Sequence, residues 1–164
     1  MGIKSKGLQG HQASARVLWA EVDFAPQAFV RPLILSTGAI HTITQATATV
    51  CVEVDGREAQ GHGCIYLSDL WAWPSPQWDH AQRDAAMQRY ARRVATQLPH
   101  WTGEPAHPLA LGLRLHEAAL RDESPWEDGP LPPAMARLVC ASPFDAAIHD
   151  AVGQALQISA FELY

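Results

Sequence analysis

No apolar run in this 164-residue chain approaches the roughly 20 residues a membrane span requires, and residues 1–16 carry positive charge without the apolar core of a secretory signal. Met1-Gly2 is followed by Lys6 where a myristoylation signal wants Ser or Thr. The stretch 1–16 therefore reads as a disordered leader on a cytoplasmic protein. Basic charge is also short: 12 Lys and Arg stand against 17 Asp and Glu, and they are scattered, so no basic face exists to grip nucleic acid or an anionic membrane. Neither partner is expected. Phosphate-binding signatures are missing as well. Gly61-His62-Gly63 begins like a dinucleotide fingerprint, but Tyr66 takes the third glycine position and a hairpin surrounds it where a strand-to-helix turn is needed.

Cysteine is scarce, with three in the chain. Their pairing is limited by the clearest local pattern present. Ala46, Ala48, Val50, Val52 and Val54 alternate with Thr47, Thr49, Cys51 and Glu53, Asp55-Gly56 supplies the positive φ angles of a type I′ turn, and residues 57–67 return. In that hairpin Val54 pairs with Arg57, Cys51 lies opposite Gln60, and Cys64 lies opposite Thr47. The two sulfurs are then four residues out of register, about 13 Å at about 3.4 Å per residue, too far for a disulfide. Reduced thiols are expected, which fits a reducing compartment. The valine face is the one to bury, and Gly61 and Gly63 leave room on it for a helix or another backbone to approach.

Around the hairpin the pattern alternates early and turns helical later. Residues 17–24 read as a first strand broken by Pro26, 29–35 as renewed extended chain, and 36–39 as a turn or mobile loop. A Trp- and Pro-rich connector follows over 68–77. Ser75-Pro76 opens a helix with Asp79 in its first turn and a stripe of Met87, Tyr90, Ala91, Val94 and Leu98, ending at Pro99. Residues 101–106 are a linker, His107-Pro108 starts a second helix along Leu111, Leu115, Ala118 and Ala119, and Gly112 weakens it slightly. An acidic loop over 122–130 precedes a short helix opened by Pro132-Pro133. Three antiparallel strands followed by a bundle of three to four helices make an α+β fold in one domain.

The last stretch, 142–163, carries the most information. Ser142 reads as an N-cap with Pro143 at the first helical position, and Phe144, Ala147, Ile148, Ala151, Val152, Ala155 and Leu156 recur at spacings of three and four. Asp145, Ala147, Asp150, Gly153 and Gln154, with Ser159 and Leu163 beyond, resemble the signature helix of the mandelate racemase and muconate-lactonizing branch of the enolase superfamily. The pattern departs at Pro143, Phe144, Ile148 and Ala160, and its usual Leu-aliphatic-Gly close lies beyond Tyr164.

That resemblance implies an enolase N-terminal domain-like fold over 17–164: a capping domain that closes over a (β/α) barrel absent from these residues. The barrel of such enzymes abstracts the proton α to a carboxylate, with Mg²⁺ stabilising the enediolate, in racemase, dehydratase or cycloisomerase reactions. The chain by itself is then expected to hold no catalytic residue and no metal, and to be inert. Its partners would be the barrel or further copies of itself, and the full enzyme's substrate a small carboxylate. Two capping-domain loops touch substrate in such enzymes; by position they are 36–43 and 67–74, which makes His41, Thr42, Tyr66, Trp71 and Trp73 the candidate substrate residues.

Plainer roles compete for several of these residues. Trp71, Trp73 and Trp78 also suit packing of the sheet against the helices, since aromatic side chains bury large areas. His41 also reads as an ordinary loop histidine. His62 and Cys64 share a strand face with His41 nearby, but a zinc site needs a second ligand pair. Ser142, Asp145 and His149 suggest a triad, yet a hydroxyl engaged as an N-cap is not activated by a base, so Asp145 and His149 read as a surface pair. On the resemblance, Asp150 serves packing and orientation where cap meets barrel. The alternative to a capping domain is a non-catalytic interaction module that self-associates through the face meant for a barrel.

Overall fold

The computed structural model describes residues 13–36, 38–122, 125–126 and 129–163. The expected leader lies mostly outside them, but Ala13 and Ala15 are buried and strand β1 already runs at Ala15. Three antiparallel strands, β1 (Ala15–Leu35), β2 (Gly38–Val54) and β3 (Arg57–Tyr66), form a sheet in the order β1-β2-β3. Helices α1 (Asp69–Ala72), α2 (His80–Thr102), α3 (Pro108–Arg121) and α4 (Ala134–Leu156) follow, then a 3₁₀ turn at Ala160–Leu163. This is the α+β order expected from the sequence, a three-stranded antiparallel sheet followed by helices. No described helix is long and apolar enough to cross a membrane.

The hairpin has the anticipated register. Val54 pairs with Arg57, Cys51 with Gln60 and Thr47 with Cys64, across a turn in which Asp55 and Gly56 have φ of 50° and 74°. Ala46, Ala48, Val50, Val52 and Val54 are all buried. Helix α4 lies across β3 and β2 on that face, and α2 covers β1. A Cβ on Gly61 would overlap the backbone of Ala147 and Ala151, and one on Gly63 would overlap the Pro143 carbonyl. The two glycines thus set how closely α4 can approach the sheet.

Several boundaries differ from the sequence reading, each for a local reason. Pro26 does not break β1, which pairs with β2 through Pro26 opposite Thr44. As an edge strand, β1 tolerates a residue without an N–H. Much of the expected loop at 36–43 is strand instead: Gly38, Ala39 and Ile40 pair with Leu35, Ile34 and Leu33. The register then shifts: Leu33 faces Ile40 while Ala28 faces Thr42, so residues 29–32 bulge opposite His41.

Helix α2 starts later than Ser75-Pro76. Asp79 is its N-cap, accepting from the Gln82 N–H at 2.8 Å while Gln82 Oε1 accepts from the Asp79 N–H at 3.0 Å. This reciprocal box outcompetes Ser75, whose hydroxyl accepts from the Gln77 N–H at 3.2 Å in a turn. The helix also continues past Pro99 to Thr102, absorbing residues expected in a linker.

The largest difference is in α4. The short helix opened at Pro132-Pro133 and the helix expected from Ser142 are one element, starting after Pro133. Ser142 is not an N-cap. Its Oγ donates to the Val139 carbonyl at 3.0 Å, the acceptor that Pro143, lacking an N–H, leaves open four residues later. The helix ends at Leu156, the last residue of the apolar stripe, in a Schellman turn: Gln157 is left-handed at φ 58°, its N–H bonds the Gln154 carbonyl at 3.2 Å, and the Ile158 N–H bonds the Gly153 carbonyl at 3.0 Å.

The core between sheet and helices includes Met87, Tyr90, Leu98, Leu111, Leu115, Phe144 and Ile148. The Tyr90 hydroxyl donates to the Ala119 carbonyl at 2.9 Å, and Arg137 from α4 reaches the carbonyls of Ala119, Leu120 and Asp122, closing the end of α3.

Candidate functional site

The five residues picked from the sequence divide among four places. His41 and Thr42 are exposed near the start of β2. They line an open cleft of about 240 Å³ with Ala39, Ile40, Leu70 and His80. Tyr66, half exposed at the end of β3, belongs instead to a hollow of about 350 Å³ with Gln27, Ala28, Phe29, Val30 and Ile43. Trp71 projects into solvent from α1, 61% exposed, and borders neither cavity. Trp73 is buried at 7% exposure and packs in the core, the role weighed against substrate contact.

The cleft is built by the segment between β3 and α2. Leu67 N–H bonds the Thr44 carbonyl, extending the sheet by one residue, and the chain then coils into α1, with the Ala72 and Trp71 N–H groups both reaching the Ser68 carbonyl. The coil turns Asp69 inward, where it is 2% exposed. Its Oδ2 meets Arg83 Nε and Nη2, each at 2.8 Å, and its Oδ1 lies 2.9 Å from Nδ1 of His80. Arg83, 5% exposed, also donates to the carbonyls of Ser75 and Trp78. The buried carboxylate and guanidinium therefore satisfy each other, as burial of charge demands. One His80 nitrogen is fixed and its outer half faces the cleft.

Sequence reasoning did not find His80, Asp69 or Arg83. The only local hint is His80 and Arg83 three residues apart on one helix face; Asp69 lies across a loop, and the fold alone brings it in.

The five residues of the helix pattern take different positions along α4, from buried Ala147 and Gly153 to exposed Gln154. Ala147 is buried against Gly61 and Gly63. Asp150 Oδ2 accepts from the outward His62 N–H at 2.8 Å, closing part of the open edge of β3, and Gln154 Nε2 approaches Asp150 Oδ1 at 3.5 Å. Asp145 lies over Gly112 of α3 and 3.5 Å from His149 Nε2. Gly153 runs beneath the returning chain, where a Cβ would stand 3.0 Å from the Ile158 carbonyl oxygen.

Burial pushes the Cys140 thiol well above its ordinary range, with Asp84 adding to the shift, and burial with the Glu58 charge raises Cys51. Cys64 is exposed on the strand face opposite Thr47. Among the described residues no group of three or more His, Cys, Asp or Glu is placed to hold a metal ion. His62 engages Thr49, at 3.2 Å.

No protein-family model matches the sequence, and no curated protein matches it. Solved structures do resemble the fold. One is an enolase from Bradyrhizobium complexed with magnesium and mandelic acid, at a TM-score of 0.51 and 18% identity, with 92% of this chain and 34% of that one covered. Another is a dipeptide epimerase from Enterococcus faecalis complexed with Mg and the dipeptide L-Leu-L-Tyr, at a TM-score of 0.50 and 14% identity, covering 90% and 34%. The chain thus spans about a third of the length of these structures. At such identities the likeness is one of fold, and it is the fold that the helix pattern implied.

Proposed function

We propose that this chain is the capping domain of a mandelate racemase-like enzyme of the enolase superfamily. It would close over a barrel site that abstracts the proton α to a carboxylate. The observation that carries the reading is the coincidence of two independent features: the spacing of Asp145, Ala147, Asp150, Gly153 and Gln154, and a fold that matches about a third of an enolase and of a dipeptide epimerase. The work of the chain itself is to shape the mouth of the site. The two segments named by the resemblance meet, because Ala39 to Thr42 of β2 and Leu70 of α1 share one cleft. Magnesium, implied for the full enzyme, finds no ligand set among the described residues here, so no step of the reaction is assigned to this chain. Racemase, dehydratase and cycloisomerase outcomes all remain within this proposal.

The test is complementation. Added to its separately expressed barrel and Mg²⁺, the chain restores proton exchange α to the carboxylate, read as deuterium incorporation from D₂O. A folded chain that never associates with that barrel contradicts the proposal.

A second reading has one observation in its favour. Leu109, Leu113 and Leu120 stand exposed on α3 at spacings of four and seven, an apolar row on the outer face of the helix. A self-associating module would cover it, and sedimentation then gives a defined dimer in place of a monomer.

A further inference from the structure

We infer that the cleft between β2 and the start of α2 is a binding site for a small organic group carrying a hydrogen-bond donor, a hydroxyl or an amide N–H, and that His80 is the residue that accepts from it. The identification of that group as the far end of a carboxylate substrate rests on the capping-domain reading. The binding itself does not.

The chemistry follows from Asp69. Its carboxylate, gripped by Arg83, can only accept, so the 2.9 Å contact makes Nδ1 of His80 the donor. In the neutral ring Nε2 is then left as a lone-pair acceptor. No protein group occupies it among the described residues, and the His80 side chain is 48% exposed, lining the cleft. Ring orientation is set at two removes, by Asp69 and by the Arg83 that holds Asp69. Burying such an ion pair is a poor way to gain stability, because desolvation takes back most of the attraction. It is an effective way to hold one imidazole at a fixed angle and in one tautomer.

The cavity limits the occupant. At about 240 Å³ the cleft is sized for a small organic group, not a large one. Ala39, Ile40 and Leu70 supply apolar lining, and His41 and Thr42 line the cleft as well. A few apolar walls with a small number of converging polar groups is the usual make-up of a small-molecule site. A wholly apolar group would leave the oriented Nε2 desolvated and unpaired, which is how such a site discriminates.

The test uses the 164-residue chain with ¹⁵N-labelled histidine, at about pH 8 so that ordinary imidazoles are neutral. The probes are 4-hydroxybutyrate and butyrate, which differ by one donor. Long-range ¹H–¹⁵N spectra are expected to show His80 as the Nδ1–H tautomer. 4-Hydroxybutyrate should shift Nε2 in a saturable way and bind at least about threefold more tightly than butyrate, the size of one modest hydrogen bond. The preference should vanish in His80→Phe and persist in His80→Gln, whose amide oxygen still accepts while its N–H can replace the donor to Asp69; both changes are at a half-exposed position and leave the Arg83–Asp69 bonds in place.

An Nε2–H tautomer, an equal response to both probes, or no saturable shift overturns the inference. Failed barrel complementation beside a positive titration removes the enzyme reading and keeps the site. The opposite pair of results keeps the enzyme and removes the site.

Discussion

Two absent side chains decide how α4 sits on the sheet. The atoms that a Cβ on Gly61 or Gly63 would strike belong to the α4 backbone, which can yield only by lifting the whole helix. Gly61→Ala or Gly63→Ala should therefore destabilise the fold by about 3 kcal/mol or more in urea unfolding. Gly56→Ala is the control: its φ is 74° in the type I′ turn but nothing lies within 4 Å of the added carbon, so about 1 kcal/mol of backbone strain is expected. A smaller loss at Gly61 and Gly63 than at Gly56 would refute this account of the packing. The role of these two glycines was legible because strand alternation places them on the valine face. At other residues the sequence was silent for a physical reason. Trp71 and Trp73 are the same residue type two positions apart, and only the turn of a four-residue helix sends one to solvent and the other to the core. His80 and Arg83 find Asp69 at separations of 11 and 14 residues, beyond any local pattern.

Among the elements, the hairpin was readable to the residue and the helix boundaries were not. A hairpin carries two agreeing signals, period-two burial and an Asp-Gly turn, and a one-residue slip would turn every valine to water. A Ser-Pro pair carries one signal with two meanings. At Ser142-Pro143 it repairs a helix interior, and at Ser75-Pro76 it makes a turn ahead of a stronger cap. The same ambiguity yields a prediction. Proline inside a helix costs about 3 kcal/mol, while the buried ring contributes roughly 1.5–2 kcal/mol through the equivalent of two methylenes. Pro143→Ala should thus raise stability by about 1 kcal/mol and the midpoint of thermal unfolding by a few degrees. A loss of stability would mean that the Pro143 ring, and not the continuity of α4, holds this part of the core.

At the scale of the whole molecule the notable property is unspent apolar surface. Val30 and Ile34 stand almost fully exposed or nearly so at the far end of the β1–β2 hairpin, Trp71 projects from α1, and the leucine row runs along α3. Scattered exposed apolar residues are normal, but three such groups on one small α+β unit fit a part that works against a larger body. The composition and the antiparallel pattern led to the fold class, and the helix spacing led to the same fold that the solved structures share. On the proposed reading the chemistry could not be read in these residues, because the base and metal ligands of such an enzyme would lie in its barrel. The most direct check on the capping role is the intact mass of the protein as its own cell makes it. A barrel of about 250 residues joined to this chain predicts a mass more than twice 17.9 kDa. A product of 17.9 kDa, bound to no barrel, would contradict the account.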